Sequence, residues 1–198
     1  MLNRFRSSLQ PVVGKLGNFF ASICSSPNFW TMLSLLSSII SALFYSAAAP
    51  SIGLIWYYAT ILGGFMLLIS GFFDIIDGTV ARITKRISKK GSFFDSLFDK
   101  MAEVTIFLGL TIGNLAEPIL CMIALSLSLL VSYTRARAES LGVDLKGIGI
   151  GERAERLLIL AIIGMIPIRG AIEWAVTIVS IIAGITIIQR ITTIYKSL

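Results

Sequence analysis

At 198 residues, 56% hydrophobic and only 14% charged, with a mean hydropathy of +0.87, the chain has too little polar surface to cover a soluble globule. A membrane-spanning helix takes about 20 apolar residues, so this length allows six spans with short connections and leaves little room for a separate soluble domain. The net charge of +6 does not mark a nucleic-acid partner, because its basic residues are distributed by membrane side rather than gathered into one groove-binding face.

The expected fold is a single all-α integral membrane domain over residues 1–198. An amphipathic helix occupies 2–20, and six spans lie at about 29–49, 52–76, 93–114, 117–138, 154–168 and 170–190. In the first segment Leu2, Phe5, Leu9, Val12, Val13, Leu16, Phe19 and Phe20 recur at helical spacing with Arg4, Arg6, Gln10 and Lys15 between them, and Pro11 kinks the run. That pattern describes an interfacial helix on the inner leaflet or a surface helix packed on the bundle, and the two readings are compatible. The polar and apolar residues alternate too closely for a secretory signal. Cys24 and Cys121 lie far apart in sequence, the second inside an apolar span, so no disulfide is expected.

Ser25-Ser26-Pro27-Asn28 supplies an N-cap candidate and a proline for the first turn of the first span. Residues 45–51 are small and uncharged, end near Pro50 and form an outer turn; the second span then continues past the apolar core into acidic sequence. The stretch from Gly71 to Lys100, GFFDIIDGTVARITKRISKKGSFFDSLFDK, holds four of the eleven acidic residues of the chain. On a helix, Asp74, Asp77, Gly78, Ala81 and Arg82 share one face by their i, i+3, i+4, i+7, i+8 spacing. Gly91, Asp95 and Asp99 follow i, i+4, i+8 on the next helix, and the short intervening turn brings the two faces together.

Four carboxylates converging at low dielectric repel one another, so either some hold protons or cations sit between them. Oxygen donors in a chain with no histidine favour Mg²⁺, Mn²⁺ or Ca²⁺ over zinc. Gly78 and Ala81 leave the helix face open to a ligand, and Arg82 suits a diphosphate. Lys85, Arg86, Lys89 and Lys90 fit an inner basic loop.

Further on, the residues 115–118 make a second outer turn. The fourth span ends in SYTRARAES, and a glycine-rich loop leads to GIGERAERL. Arg135, Arg137, Glu139, Glu152, Arg153, Glu155 and Arg156 therefore crowd the adjacent ends of two spans, as a network of ion pairs or as a pocket for an anionic substrate. With the N-terminus inside, the basic residues from Arg4 to Lys196 fall on or near one side and only Arg169 lies opposite. This places both termini and the carboxylates in the cytoplasm and the chain as a multi-pass protein in the cell membrane.

Written out, the acidic stretch is D-x-x-D-G-x-x-A-R-x8-G-x-x-x-D-x-x-x-D, with every fixed position filled. It resembles the signature of the CDP-alcohol phosphotransferases, membrane enzymes of phospholipid synthesis. The resemblance implies two divalent ions, Mg²⁺ with Mn²⁺ as the alternative, held by Asp74, Asp77, Asp95 and Asp99, with Asp99 as general base. It implies that Asn28, Thr31, Gly78, Ala81, Arg82 and Ser88 contact the CDP-linked lipid, although Asn28 and Thr31 also serve simply to begin a helix. The arginine-rich end of the fourth span and the G-x-x-E-R-x-E-R run are similar to the branch of phosphatidylinositol-phosphate synthases and their archaeal ether-lipid counterparts. In that branch Arg135, Arg153 and Arg190 would hold the phosphate of inositol 1-phosphate, the lipid would be CDP-diacylglycerol or CDP-archaeol, and the enzyme would be a homodimer. Two alternatives stay open: the same chemistry with glycerol 3-phosphate or another alcohol, and a divalent-cation transporter using the aspartates as its ion site. Arg82 beside those aspartates disfavours a permeating cation.

Overall fold

The computed structural model describes residues 14–49, 55–145 and 147–197. They are helical throughout: α1 at 14–23, α2 Pro27–Ser46, α3 Trp56–Ile83, α4 Lys89–Ile112, α5 Pro118–Ser140, α6 Arg153–Gly164 and α7 Ala171–Ser197. Each of α2 to α7 falls on one of the six expected spans. By length and composition four of them, α2, α3, α5 and α7, are apolar enough to cross a membrane. The acids and lysines in its first half keep α4 out of that group, and α6, with 12 residues, is only about 18 Å long at 1.5 Å per residue.

The helix boundaries follow local chemistry. Pro27 opens α2 and Pro118 opens α5, each where a missing N–H removes no intrahelical bond. The Glu117 carboxylate accepts from the Leu120 amide at 2.8 Å. Lys85 takes a left-handed φ of 55° and ends α3. Ser88 then caps α4, its hydroxyl accepting from the Gly91 amide at 3.0 Å. Only residues 84–88 separate the two helices, so the inner ends of α3 and α4 stay together.

Helix α2 packs on both α3 and α4, α5 on α7 and α4, and α6 on α3 and α7. Lipid offers no hydrophobic incentive for apolar helices to associate, so close approach and hydrogen bonding carry the interface. The α2 face supplies both. Ser34 donates to the Ser70 carbonyl at 2.9 Å and Ser41 to the Gly63 carbonyl at 2.7 Å, while the Ser34 and Ser38 hydroxyls each meet that of Ser70 at 3.2 Å. Tyr45, Leu67, Ile106, Leu110, Leu160 and Val176 fill the middle of the bundle. Of the predicted amphipathic helix, the part before residue 14, including the Pro11 kink, lies outside the described residues. The remainder packs Phe20 edge-on against Trp30 at 5.1 Å, while Phe19 and Ile23 stay 60% exposed. Cys24 and Cys121 are free thiols, as expected.

Gly109 marks a close backbone approach of α4 to α2, since a Cβ there would lie 2.5 Å from the Ala42 carbonyl oxygen and 2.7 Å from its Cα. Backbone cannot rotate away as a side chain does. Gly109→Val is therefore expected to destabilise the bundle by about 1–3 kcal/mol, read as a lowered unfolding midpoint in detergent; an unchanged midpoint would contradict this α2–α4 packing.

Candidate active site at the inner helix ends

The acidic motif is built across the α3–α4 turn. Asp74 comes from α3, one turn before Asp77, and Asp95 and Asp99 stand one turn apart on α4. One carboxylate oxygen from each of Asp74, Asp95 and Asp99 lies within 4.8 Å of the others, and all three residues are half-buried. Asp77 sits to one side of this trio, only 5% exposed, beside the Thr31 side chain, and its Oδ2 has no hydrogen-bond partner. Three of the four predicted ligands thus meet, with the fourth one turn away carrying an unsatisfied buried oxygen. A donor set made wholly of carboxylate oxygens, one of them orphaned, fits a hard divalent cation.

The guanidinium of Arg153, at the first position of α6, reaches into this group. Its Nη1 donates to Asp74 at 2.9 Å and lies 2.6 Å from Asp99 Oδ1. Sequence reasoning placed Arg153 at an acceptor phosphate; in the structure it is also the counterion of two aspartates. One positive charge does not balance four carboxylates.

Asp95 and Asp99 also line a cavity of about 660 Å³, together with Arg135, Arg153, Arg156 and Arg190. Arg135 is exposed and paired with Glu139 at 3.0 Å, as the ion-pair reading expected. Arg190 is 2% exposed; its Nε donates to the Ile148 carbonyl at 3.1 Å and its Nη1 to that of Val131. It thereby ties the glycine-rich loop to α5 and α7. Gly149 in that loop has a φ of +116° and packs against Thr186, a conformation and a fit that only glycine meets easily.

The residues expected to contact the CDP-linked lipid lie at the other edge of the aspartates. Gly78 faces open space, its nearest neighbour being Arg82 Nη1 at 3.7 Å from where a Cβ would stand. Ala81 is half-buried and Arg82 is exposed, the latter donating to the Thr79 hydroxyl at 3.1 Å. Asn28 at the start of α2 and Ser88 at the start of α4 both stand near Gly91. Thr31 donates to the Pro27 carbonyl at 3.2 Å. Ser88 is engaged as a helix cap, a local role that sequence reasoning did not assign to it.

Sequence reasoning also missed Glu103, the partner of Arg156 in the expected charge cluster. Glu103 extends the Asp95 and Asp99 stripe by another four residues, which was the available signal, and its carboxylate takes Arg156 Nη2 at 2.6 Å with both side chains 1% exposed. Glu152 and Glu155, read as partners for the arginines, form a capping box at the start of α6, with the Glu152 amide donating to Glu155 at 3.0 Å.

The CDP-alcohol phosphatidyltransferase family matches residues 24–187. The chain belongs to this family. It is 31% identical over 191 residues to archaetidylinositol phosphate synthase of Pyrococcus horikoshii, covering 96% of this chain and 95% of that protein. It is 31% identical to the archaetidylinositol phosphate synthase of Methanothermobacter thermautotrophicus, covering all of this chain and 96% of that one. The phosphatidylinositol phosphate synthase of Streptomyces avermitilis is 30% identical over 99% of this chain and 83% of that protein. In fold, the chain resembles the crystal structure of Mycobacterium tuberculosis phosphatidylinositol phosphate synthase with CDP-DAG bound, with a TM-score of 0.77 at 23% identity over 93% of this chain and 94% of that one. A structure of the same protein in complex with manganese and citrate gives a TM-score of 0.76 over 92% of this chain and 88% of that one. Family membership makes this membrane protein a CDP-alcohol phosphotransferase and sets aside the transporter alternative.

Mn²⁺ bound by the purified protein, measured by electron paramagnetic resonance without substrate, is expected to weaken at least about tenfold in Asp74→Asn and in Asp77→Asn. Wild-type affinity in both variants would contradict a cation site on these aspartates.

Proposed function

We propose that this enzyme transfers the phospholipid moiety of a CDP-linked lipid, CDP-archaeol or CDP-diacylglycerol, to the hydroxyl of inositol 1-phosphate and releases CMP. The observation that carries this reading is that one cavity joins Asp95 and Asp99 to three arginines expected at an acceptor phosphate, Arg135, Arg153 and Arg190. The full-length similarity to archaetidylinositol phosphate synthases supports the same acceptor. The helices from α2 to α7 then form the six membrane segments, the short α6 completing its passage through the residues that follow it, with the aspartates, the cavity and both termini on the cytoplasmic side, as the basic residues at these helix ends favour.

In the reaction, the acceptor hydroxyl oxygen forms a bond to the lipid-side phosphorus of the diphosphate. The bond from that phosphorus to the bridging oxygen breaks, and CMP leaves with the electron pair. Two divalent ions, Mg²⁺ or Mn²⁺, on Asp74, Asp77, Asp95 and Asp99 would supply charge neutralisation at the diphosphate and at the leaving CMP. Asp99 lies on the boundary between the carboxylates and the cavity, where it takes the proton of the acceptor hydroxyl and orients that oxygen. Once its carboxylate partners are otherwise neutralised, the Arg153 guanidinium is free to turn to the acceptor phosphate, with Arg135 and Arg190 lining the same cavity. Asn28, Thr31, Gly78, Ala81, Arg82 and Ser88 bind the nucleotide end of the lipid from the α2 and α3 side.

Purified protein given CDP-archaeol or CDP-diacylglycerol, Mg²⁺ and inositol 1-phosphate is expected to release CMP at least about tenfold faster than with glycerol 3-phosphate, and to show no turnover with serine, which lacks the phosphate the arginines hold. EDTA should abolish release. A preference for glycerol 3-phosphate would overturn the acceptor assignment, and EDTA-resistant turnover would overturn the metal.

A further inference from the structure

The buried pair Glu103–Arg156 stands one turn deeper than the aspartates, with Glu103 outside the cavity lining and Arg156 at its inner edge. Asp99 and Glu103 are four residues apart on α4, and Arg153 and Arg156 are three apart on α6, so the two helices run parallel and are joined by two rungs. The upper rung, Arg153 to Asp99 at 2.6 Å, opens on the cavity. The lower, Arg156 to Glu103 at 2.6 Å, is buried, with both side chains 1% exposed, and Glu103 also accepts from Lys100 at 3.3 Å. Helices α4 and α6 are not among the pairs whose backbones pack closely in the described residues, so long charged side chains span the gap between them. Arg156 also donates to the Gly151 carbonyl at 2.7 Å and to that of Ser128 at 3.4 Å, while the Gly151 amide donates to Thr186 at 3.0 Å. One guanidinium thus ties α4, α5 and the loop that leads into α6.

We propose that Glu103 and Arg156 are positioning residues for the acceptor: their pairing sets the register of α6 against α4 and so delivers Arg153 to the acceptor phosphate. Replacing a buried ion pair by apolar residues of similar volume often leaves stability unchanged or raises it, so stability alone is a weak reason for this one. A buried rung directly beneath a functional one has a use that bulk packing lacks. It holds Arg153, which begins a helix of only 12 residues, at a fixed height beside Asp99. A guanidinium misplaced by about 1 Å loses much of its grip on a phosphate.

This inference rests on the proposed acceptor role of Arg153, and the experiment separates the two. Wild-type enzyme that ignores inositol 1-phosphate would fail that role before any variant is made. In an enzyme that uses it, Glu103→Gln is expected to raise the KM for inositol 1-phosphate about tenfold or more, leaving the KM for the CDP-lipid within about twofold. In the background of Arg153→Lys, the same change is expected to add less than about twofold, because Glu103 acts through Arg153. Fully multiplicative losses, or equal loss for both substrates, would overturn the proposal. If Glu103→Gln does not give folded protein, Arg156→Lys carries the same cycle, since a lysine reaches Glu103 but does not hold Gly151 and Ser128 with it. Loss of fold in both variants would assign the pair to stability alone and likewise overturn it.

Discussion

Carboxylates gathered where the dielectric is low are the constraint on which the rest of this structure depends. Two unit charges about 5 Å apart interact by on the order of 3 kcal/mol at an effective dielectric of 20, and Asp74, Asp95 and Asp99 form three such pairs within 4.8 Å. Adding Asp77 gives four carboxylates, of which the Arg153 guanidinium contacts two. A bundle that keeps such a cluster gains from it only through a cation or a cationic partner brought there. The enzyme of this family has use for both, because its substrates are themselves anionic at phosphorus.

The helices are arranged to meet that constraint. The five-residue turn after α3 brings two acidic faces to the same depth, and the serine face of α2 packs on α3 and, through Ala42 against Gly109, on α4. Helix α6 is short and starts at the level of the aspartates, with Arg153 as its first residue. The glycine-rich loop before it is held to α7 through hydrogen bonds with Thr186 and Arg190. A single volume then brings two of the aspartates together with four arginines, as the proposed alignment of an activated phosphate with a phosphorylated alcohol requires.

What could be read from sequence was whatever repeats at helical spacing. The six helices and the two acidic faces were legible because apolar length and i, i+4 periodicity are local properties, and the aspartate trio followed from a turn too short to separate them. The division of labour among the arginines was not legible. Arg190 reads as one cation near the end of an apolar helix, yet it holds two backbone carbonyls from other parts of the chain, contacts that exist only after the loop folds over α7. Arg156 and Arg153 are three residues apart with the same chemistry, and what distinguishes them is burial, 1% exposed against 16%, and the carboxylate each one meets. Ser88 and the Glu152–Glu155 pair were read toward substrate and ion pairing, whereas helix ends recruit them first because unsatisfied backbone amides stand within reach.

The central claim is that these aspartates hold divalent cations against a CDP-linked lipid. Anomalous diffraction at the manganese edge from crystals grown with Mn²⁺ and CDP-archaeol tests it most directly. Peaks are expected between the carboxylates of Asp74, Asp95 and Asp99, with Asp77 turned toward them and the diphosphate alongside. Bound lipid with no anomalous peak among these residues, or with manganese held elsewhere, would contradict it.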